Sequence, residues 1–118
     1  MRRLLEETQA EVFKALGHPT RVRIVSILSR EGSKCVCELV EMLGFDQSTV
    51  SKHLSVLKAA GIVTSSKRGL NVSYEIAMPC VVRFLTCIEC VAGSESGETD
   101  CASCKALPEC YARREVVK

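Results

Sequence analysis

The chain has 118 residues, 47% of them hydrophobic, eight cysteines and a formal net charge of +2, a length that closes one modest core and is too short for two. Its first thirteen residues mix charged and apolar positions where a signal peptide would carry an unbroken apolar run, and no run approaches the roughly 20 residues that cross a bilayer, so a cytoplasmic protein with no membrane partner is expected. Cytosolic thiols stay reduced, so the cysteines point to metal binding or redox sensing and away from a disulfide framework, while so small a net charge gives no lead towards nucleic acid.

Leu5, Thr8, Val12 and Leu16 follow a helical period and Gly17 stops it, which predicts a first helix. A second starts at His18-Pro19, since proline is tolerated in a first turn, and runs through Val22, Val25 and Leu28 to near Arg30. Val36, Leu39, Val40 and Leu43 fall at i, i+3, i+4 and i+7 and predict a third helix over 35–43. Gly44-Phe45-Asp46 then makes a tight connection, Asp46 is placed to cap the next helix, and Val50, Leu54 and Leu57 give that helix a buried stripe until Gly61 ends it. Beyond Gly61, Ile62-Val63-Thr64 starts a strand, Arg68-Gly69-Leu70-Asn71 supplies turn chemistry, and Val72, Tyr74 and Ile76 alternate with polar residues, so a β-hairpin follows. A last helix starts near Pro79, carries Met78, Val81, Val82, Leu85 and Ile88 on one face, and ends around Cys90 or Val91. Residues 92–118 form a cysteine-rich tail, rich in Gly, Ser and acid, that needs a metal or partner to order, and 1–91 form the folded domain. The fold class is mainly α with a small β-hairpin, and its third and fourth helices have helix-turn-helix spacing.

Ser48, Ser51, Lys52 and Ser55 lie at i, i+3, i+4 and i+7 opposite the apolar stripe of the fourth helix, leaving a small, polar, weakly cationic face. Such a face can enter a major groove, with hydroxyls and Lys52 reaching phosphates or base edges. Lys67, Arg68 and Gly69 at the tip of the following hairpin offer a second backbone contact.

With these elements in this order, the stretches LGHPTRVRIVSILS, QSTVSKHLSVLKAAGIV and KRGLNVSYEI resemble the second helix, recognition helix and wing of the ArsR/SmtB family of winged-helix regulators. The resemblance implies a winged helix-turn-helix homodimer joined through its first and last helices, bound to a palindromic double-stranded operator and released when ligand arrives. It makes Gln47, Ser48, Thr49, Ser51, Lys52 and His53 the candidate DNA contacts. His53 has a second reading, as an imidazole satisfied by a local hydrogen bond; His18 reads as a helix-start residue. Members sensing zinc, cobalt or nickel on the last helix carry histidines there, and this chain has none, which disfavours that site.

Cys35 and Cys37 flank Val36 at the start of the third helix and resemble the family's Cys-Val-Cys sensor motif. Each lies about 100° to one side of Val36, off the apolar stripe. On a regular helix residues i and i+2 point about 200° apart, so gripping one ion requires an unwound first turn, and ligand would compete with helix. Val40 stands where arsenite-type relatives often have a third cysteine, and no cysteine precedes Cys35, so a third thiolate is expected from the C-terminal half.

That half holds Cys87-x2-Cys90, ten intervening residues, then Cys101-x2-Cys104, with Cys110 beyond. Two such pairs suit tetrahedral zinc or cadmium, an iron–sulfur cluster, or thiolates on arsenic, either as inducer ligands or as a structural zinc staple. Cys80, in an apolar-rich stretch, is expected to be packed. The expected function is a repressor released by arsenite or antimonite, or by a soft divalent ion such as cadmium, lead or zinc; a redox, persulfide or iron–sulfur sensor of the same fold is the alternative. No strand-helix-strand pattern frames either cysteine pair and no acid/base constellation is present, so no enzyme activity is expected.

Overall fold

A computed structural model describes residues 2–92, with side chains described from residue 4. The elements are α1 (Arg2–Leu16), α2 (Pro19–Glu31), β1 (Lys34–Cys35), α3 (Val36–Leu43), α4 (Gln47–Ala59), β2 (Val63–Arg68), β3 (Asn71–Ile76) and α5 (Pro79–Ala92). By compactness the chain divides into two units, residues 1–79 and 80–118.

Within the first unit the apolar stripes meet. Ile24, Val25, Ile27 and Leu28 of α2, Leu39 and Leu43 of α3, and Val50, Leu54 and Leu57 of α4 are buried together with Ile62 and Val63. Removing each such side chain from water contributes about 1.5–3 kcal/mol. The expected α3 stripe is narrower in the fold: Val36 and Val40 are only half-buried.

Local chemistry sets the helix ends. His18 caps α2, its Nδ1 accepting from Thr20 N–H at 3.1 Å, and Pro19 follows in the first turn. At the far end of α4 the Gly61 N–H reaches Lys58 O and the Ile62 N–H reaches Leu57 O, both at 3.0 Å. These two bonds form a Schellman closure, which needs the left-handed backbone of Gly61 (φ 80°).

The hairpin is part of a three-stranded antiparallel sheet ordered β1-β3-β2, because Lys34 pairs with Tyr74 and Cys35 with Ser73. The expected hairpin is thus present with an added edge strand that no sequence signal announced. Between β2 and β3 the pair Arg68–Asn71 encloses a two-residue loop, Gly69-Leu70. Only Gly69 there has positive φ (63°), the pattern of a type II′ turn.

In the second unit Val81 of α5 is buried, whereas Ile88 and Val91 are exposed. Cys80 is exposed, which corrects the expectation that it is packed: it follows Pro79 in the first turn, off the position of Val81. Cys87 and Cys90 are half-buried on the same helix. Cys101, Cys104 and Cys110 lie outside the described residues, so the second half of the expected thiol cluster does too. Among the described residues no helix is long and apolar enough to cross a membrane.

Candidate nucleic-acid interface and thiol site

The residues expected to face DNA fall into two groups. Gln47, Ser48, Lys52 and Ser55 are exposed along one side of α4, with Ser51 half-buried at their edge, and Lys67 and Arg68 are exposed at the end of β2. Lys52, Lys67 and Arg68 are the cations of this surface and suit phosphates. Ser48 and Thr49 donate their hydroxyl protons to the two carboxylate oxygens of Asp46, which holds that carboxyl below its usual range. Asp46 therefore closes the start of α4 through side chains and makes no side-chain cap bond to the helix amides. Its partners are left with oxygen lone pairs, which in a major groove match the amino groups of adenine or cytosine and not phosphate.

His53 is placed elsewhere. Its ring lies 4.6 Å from that of His18, and its Nδ1 accepts from Arg21 Nε at 3.3 Å. Arg21 also donates through Nη1 to the carbonyls of Lys14 and Ala15, each at 3.4 Å, at the end of α1. Burial first, then the nearby His18 and Arg21 charges, push the His53 pKa below its usual 6.5. The local-bond reading of His53 matches this geometry: it ties α4 to α2 and, through Arg21, to α1. Arg21 carried no sequence signal for this role, because its partners are 32 residues downstream and 6–7 residues upstream.

The two N-terminal thiols do come together. Cys35 is the N-cap of α3, with extended backbone (φ −84°, ψ 163°), and its sulfur lies 2.6 Å from that of Cys37 in a hydrogen bond that either thiol can donate. This corrects the expected competition between ligand and helix. The 200° divergence applies to two residues inside a helix, and Cys35 stands outside it, held in β1 by pairing with Ser73. Cys35 N–H donates to Glu38 Oε1 at 3.1 Å, half of a capping box with the third helical residue. Glu38 Oε2 meets Lys34 Nζ at 3.6 Å, and its carboxyl is held below the usual range by the Cys35 bonds first and Lys34 after. The bond to Cys37 is the largest cause pushing the Cys35 thiol up.

Cys37 is exposed and Cys35 half-buried, and both open onto a cleft of about 170 Å³. Gln47, the first residue of α4, and Leu70, Asn71 and Val72 around the hairpin turn line its other sides. At roughly 30 Å³ per water the cleft has room for an ion with its hydroxides or a few waters, and it falls short of the roughly 300 Å³ of the smallest pockets for drug-sized ligands. Among the described residues no group of three or more His, Cys, Asp or Glu side chains could hold a metal. The described part of the site is therefore a dithiol with carboxamide neighbours.

Three helices in helix-turn-helix arrangement with a basic antiparallel hairpin after the recognition position define a winged helix-turn-helix protein. Residues 18–65 match the bacterial regulatory proteins of the arsR family. The HTH-type transcriptional regulator MJ1325 of Methanocaldococcus jannaschii is 49% identical over 63 residues, covering 53% of this chain and 71% of that protein. The arsenic resistance transcriptional regulator ArsR1 of Pseudomonas putida is 41% identical over 76 residues, 64% of this chain and 58% of that one. Other relatives are named a probable mercury resistance operon repressor in Streptomyces lividans and a cadmium resistance regulatory protein homologue in Staphylococcus aureus. Among solved structures, the homodimeric winged helix-turn-helix DNA-binding domain Mb0332 from Mycobacterium bovis superposes with TM-score 0.71 at 28% identity, covering 80% of this chain and 87% of that domain. The chain belongs to the ArsR family of transcriptional regulators, and its relatives are named as regulators, not enzymes.

Proposed function

We propose that this chain is a homodimeric repressor that holds a short inverted-repeat operator through α4 and the β2–β3 wing and lets go when a thiophilic species binds at Cys35 and Cys37. The preferred inducer is arsenite or antimonite, with cadmium, lead or mercury as the divalent alternatives. The observation that carries this reading is the convergence of the two sulfurs, 2.6 Å apart at the N-cap of α3. A soft ion or trivalent metalloid selects such a pair over the oxygen donors around it. Relatives named for arsenic, cadmium and mercury support the ligand class, and the homodimeric neighbour supports the assembly.

Coupling follows from position. Thiolates on one metal ion with bonds near 2.3 Å stand about 3.8 Å apart, so a bound ion fixes the separation and orientation of the two sulfurs. Cys35 is strapped to the wing strand β3, and α3 leads through Gly44-Phe45-Asp46 into α4. Fixing the thiols on one ligand biases both DNA-facing elements at once, and ligand weakens DNA binding by the same factor that DNA weakens ligand binding.

The test is operator release, followed by fluorescence anisotropy, against arsenite, antimonite, cadmium, lead, mercury and zinc. The species acting at the lowest concentration names the inducer. Cys35→Ser and Cys37→Ser are expected to bind the operator as the parent does and to lose the response. Full response in the double variant would defeat this reading and move sensing to the tail.

A further inference from the structure

The cleft beside the dithiol has features that the sensor motif leaves unused. Asn71 and Gln47 line it together with the thiols, and neither belongs to the Cys-Val-Cys segment. The sheet register explains how Asn71 arrives there. Cys35 is paired with Ser73, and side chains two residues apart on a strand share a face, so Asn71 stands on the Cys35 side of β3 next to the turn. Gln47 arrives from the other direction, as the first residue of α4 after the short connection that follows α3. On α3 itself Val40 is half-buried where a third cysteine would stand.

Trivalent arsenic in neutral water is the hydroxide As(OH)3, and two thiols displace two of its hydroxyls. The step As(OH)3 + 2 RSH gives (RS)2AsOH + 2 H2O; two As–O and two S–H bonds break, two As–S bonds and two water O–H bonds form, and no electron changes owner. One hydroxyl stays on arsenic. A hydroxyl both donates and accepts hydrogen bonds, and a carboxamide offers both complements, a carbonyl oxygen and an NH2 group. A cleft of about 170 Å³ leaves room for this small adduct.

We propose that Asn71, with Gln47, is a ligand-contact residue that holds the retained hydroxyl of a dithiol-bound arsenic(III), so that the site is completed from within one chain by the wing and the recognition helix in place of a third thiolate. The proposal rests on the reading of Cys35 and Cys37 as the arsenite-binding pair. It adds a route for release: Gln47 stands on the α4 surface assigned to DNA, and Asn71 adjoins the basic wing tip, so inducer and operator compete for the same two elements. Leu70, fully exposed on the turn between β2 and β3, directly precedes Asn71.

The experiment uses full-length protein without DNA and sodium arsenite as the probe. Native mass spectrometry reads how many waters are lost on binding, alkylation reads which thiols are protected, and titration gives the affinity. The expected result is an adduct lacking two waters, protection of Cys35 and Cys37 alone, and an affinity about tenfold weaker in Asn71→Ala, with Gln47→Ala shifted in the same direction. Loss of three waters with a third cysteine protected overturns the proposal and leaves the reading of Cys35 and Cys37 standing, as does unchanged affinity in Asn71→Ala together with Gln47→Ala. Undiminished binding in Cys35→Ser with Cys37→Ser overturns both.

Discussion

The α3–α4 pair and α1 carry apolar periodicity of similar clarity in the sequence, and the fold treats them differently. In α3 and α4 the residues Leu39, Leu43, Val50, Leu54 and Leu57 are all buried. Among the described residues of α1 only Ala15 is buried, while Leu4, Leu5 and Phe13 are exposed, Leu4 by 70%. Among the described residues the first stripe is buried within the chain, while much of the second is exposed. The lesson is that a helical period shows which face is apolar, while the identity of what covers it is a tertiary or quaternary fact. A second copy of the chain is the cover implied by the proposed assembly.

The contrast can be broken most forcefully on its buried side. Leu54→Ala removes a fully buried side chain from the heart of α4 and is expected to lower unfolding free energy by about 3 kcal/mol, read by denaturant titration with an unchanged slope. A loss below about 1 kcal/mol would mean that the stripe packs far more loosely than its burial indicates. On the exposed side, Leu5→Asp should leave the far-ultraviolet circular dichroism of the monomer unchanged. Sedimentation should shift from dimer to monomer, and operator affinity should fall by about tenfold or more. A dimer that survived Leu5→Asp would place the subunit contact elsewhere.

A smaller effect sharpens the picture of how α4 is held. His53 has a folded-state pKa below the usual 6.5, so above that value it is neutral in both states and its bond from Arg21 is intact. As pH falls through 6.5 the unfolded chain takes up the proton first, and the His53 contribution to stability is lost as the pH passes down through the lower folded value. His53→Ala should cost about 1 kcal/mol at pH 7.5 and flatten the decline in stability on acidification. Thermal melts at pH 7.5 and 5.5 would show it, and an unaltered pH profile would remove His53 from the account. The smallest expected change is on the solvated face. Lys52→Ala should leave stability within about 0.5 kcal/mol and reduce the slope of log affinity against log salt by about 0.9 for each phosphate that Lys52 neutralises. An unchanged slope would show that Lys52 does not touch phosphate.

Most of the fold was legible because its signals are local. Pro19 after His18, the Asp46 start, the Gly61 stop and the Gly69 turn are each satisfied within a few residues, and the stripes of α3 and α4 repeat often enough to declare their period. The polar face of α4 and the basic wing tip were legible for the same reason. What escaped was non-local. Two residues have no period, and β1 exists only because the backbone edge of β3, nearly forty residues on, offers it partners. Read alone, the chain puts Cys35 and Cys37 on either side of Val36 at the start of a helix. That their sulfurs meet is a matter of strand pairing: Ser73 holds Cys35 in extended backbone outside the helix, where the 200° divergence of i and i+2 no longer applies. The same holds for His53, which the sequence placed on a helix with a reading face and which the fold turns towards Arg21 and His18, since those partners come from a helix that only folding brings alongside.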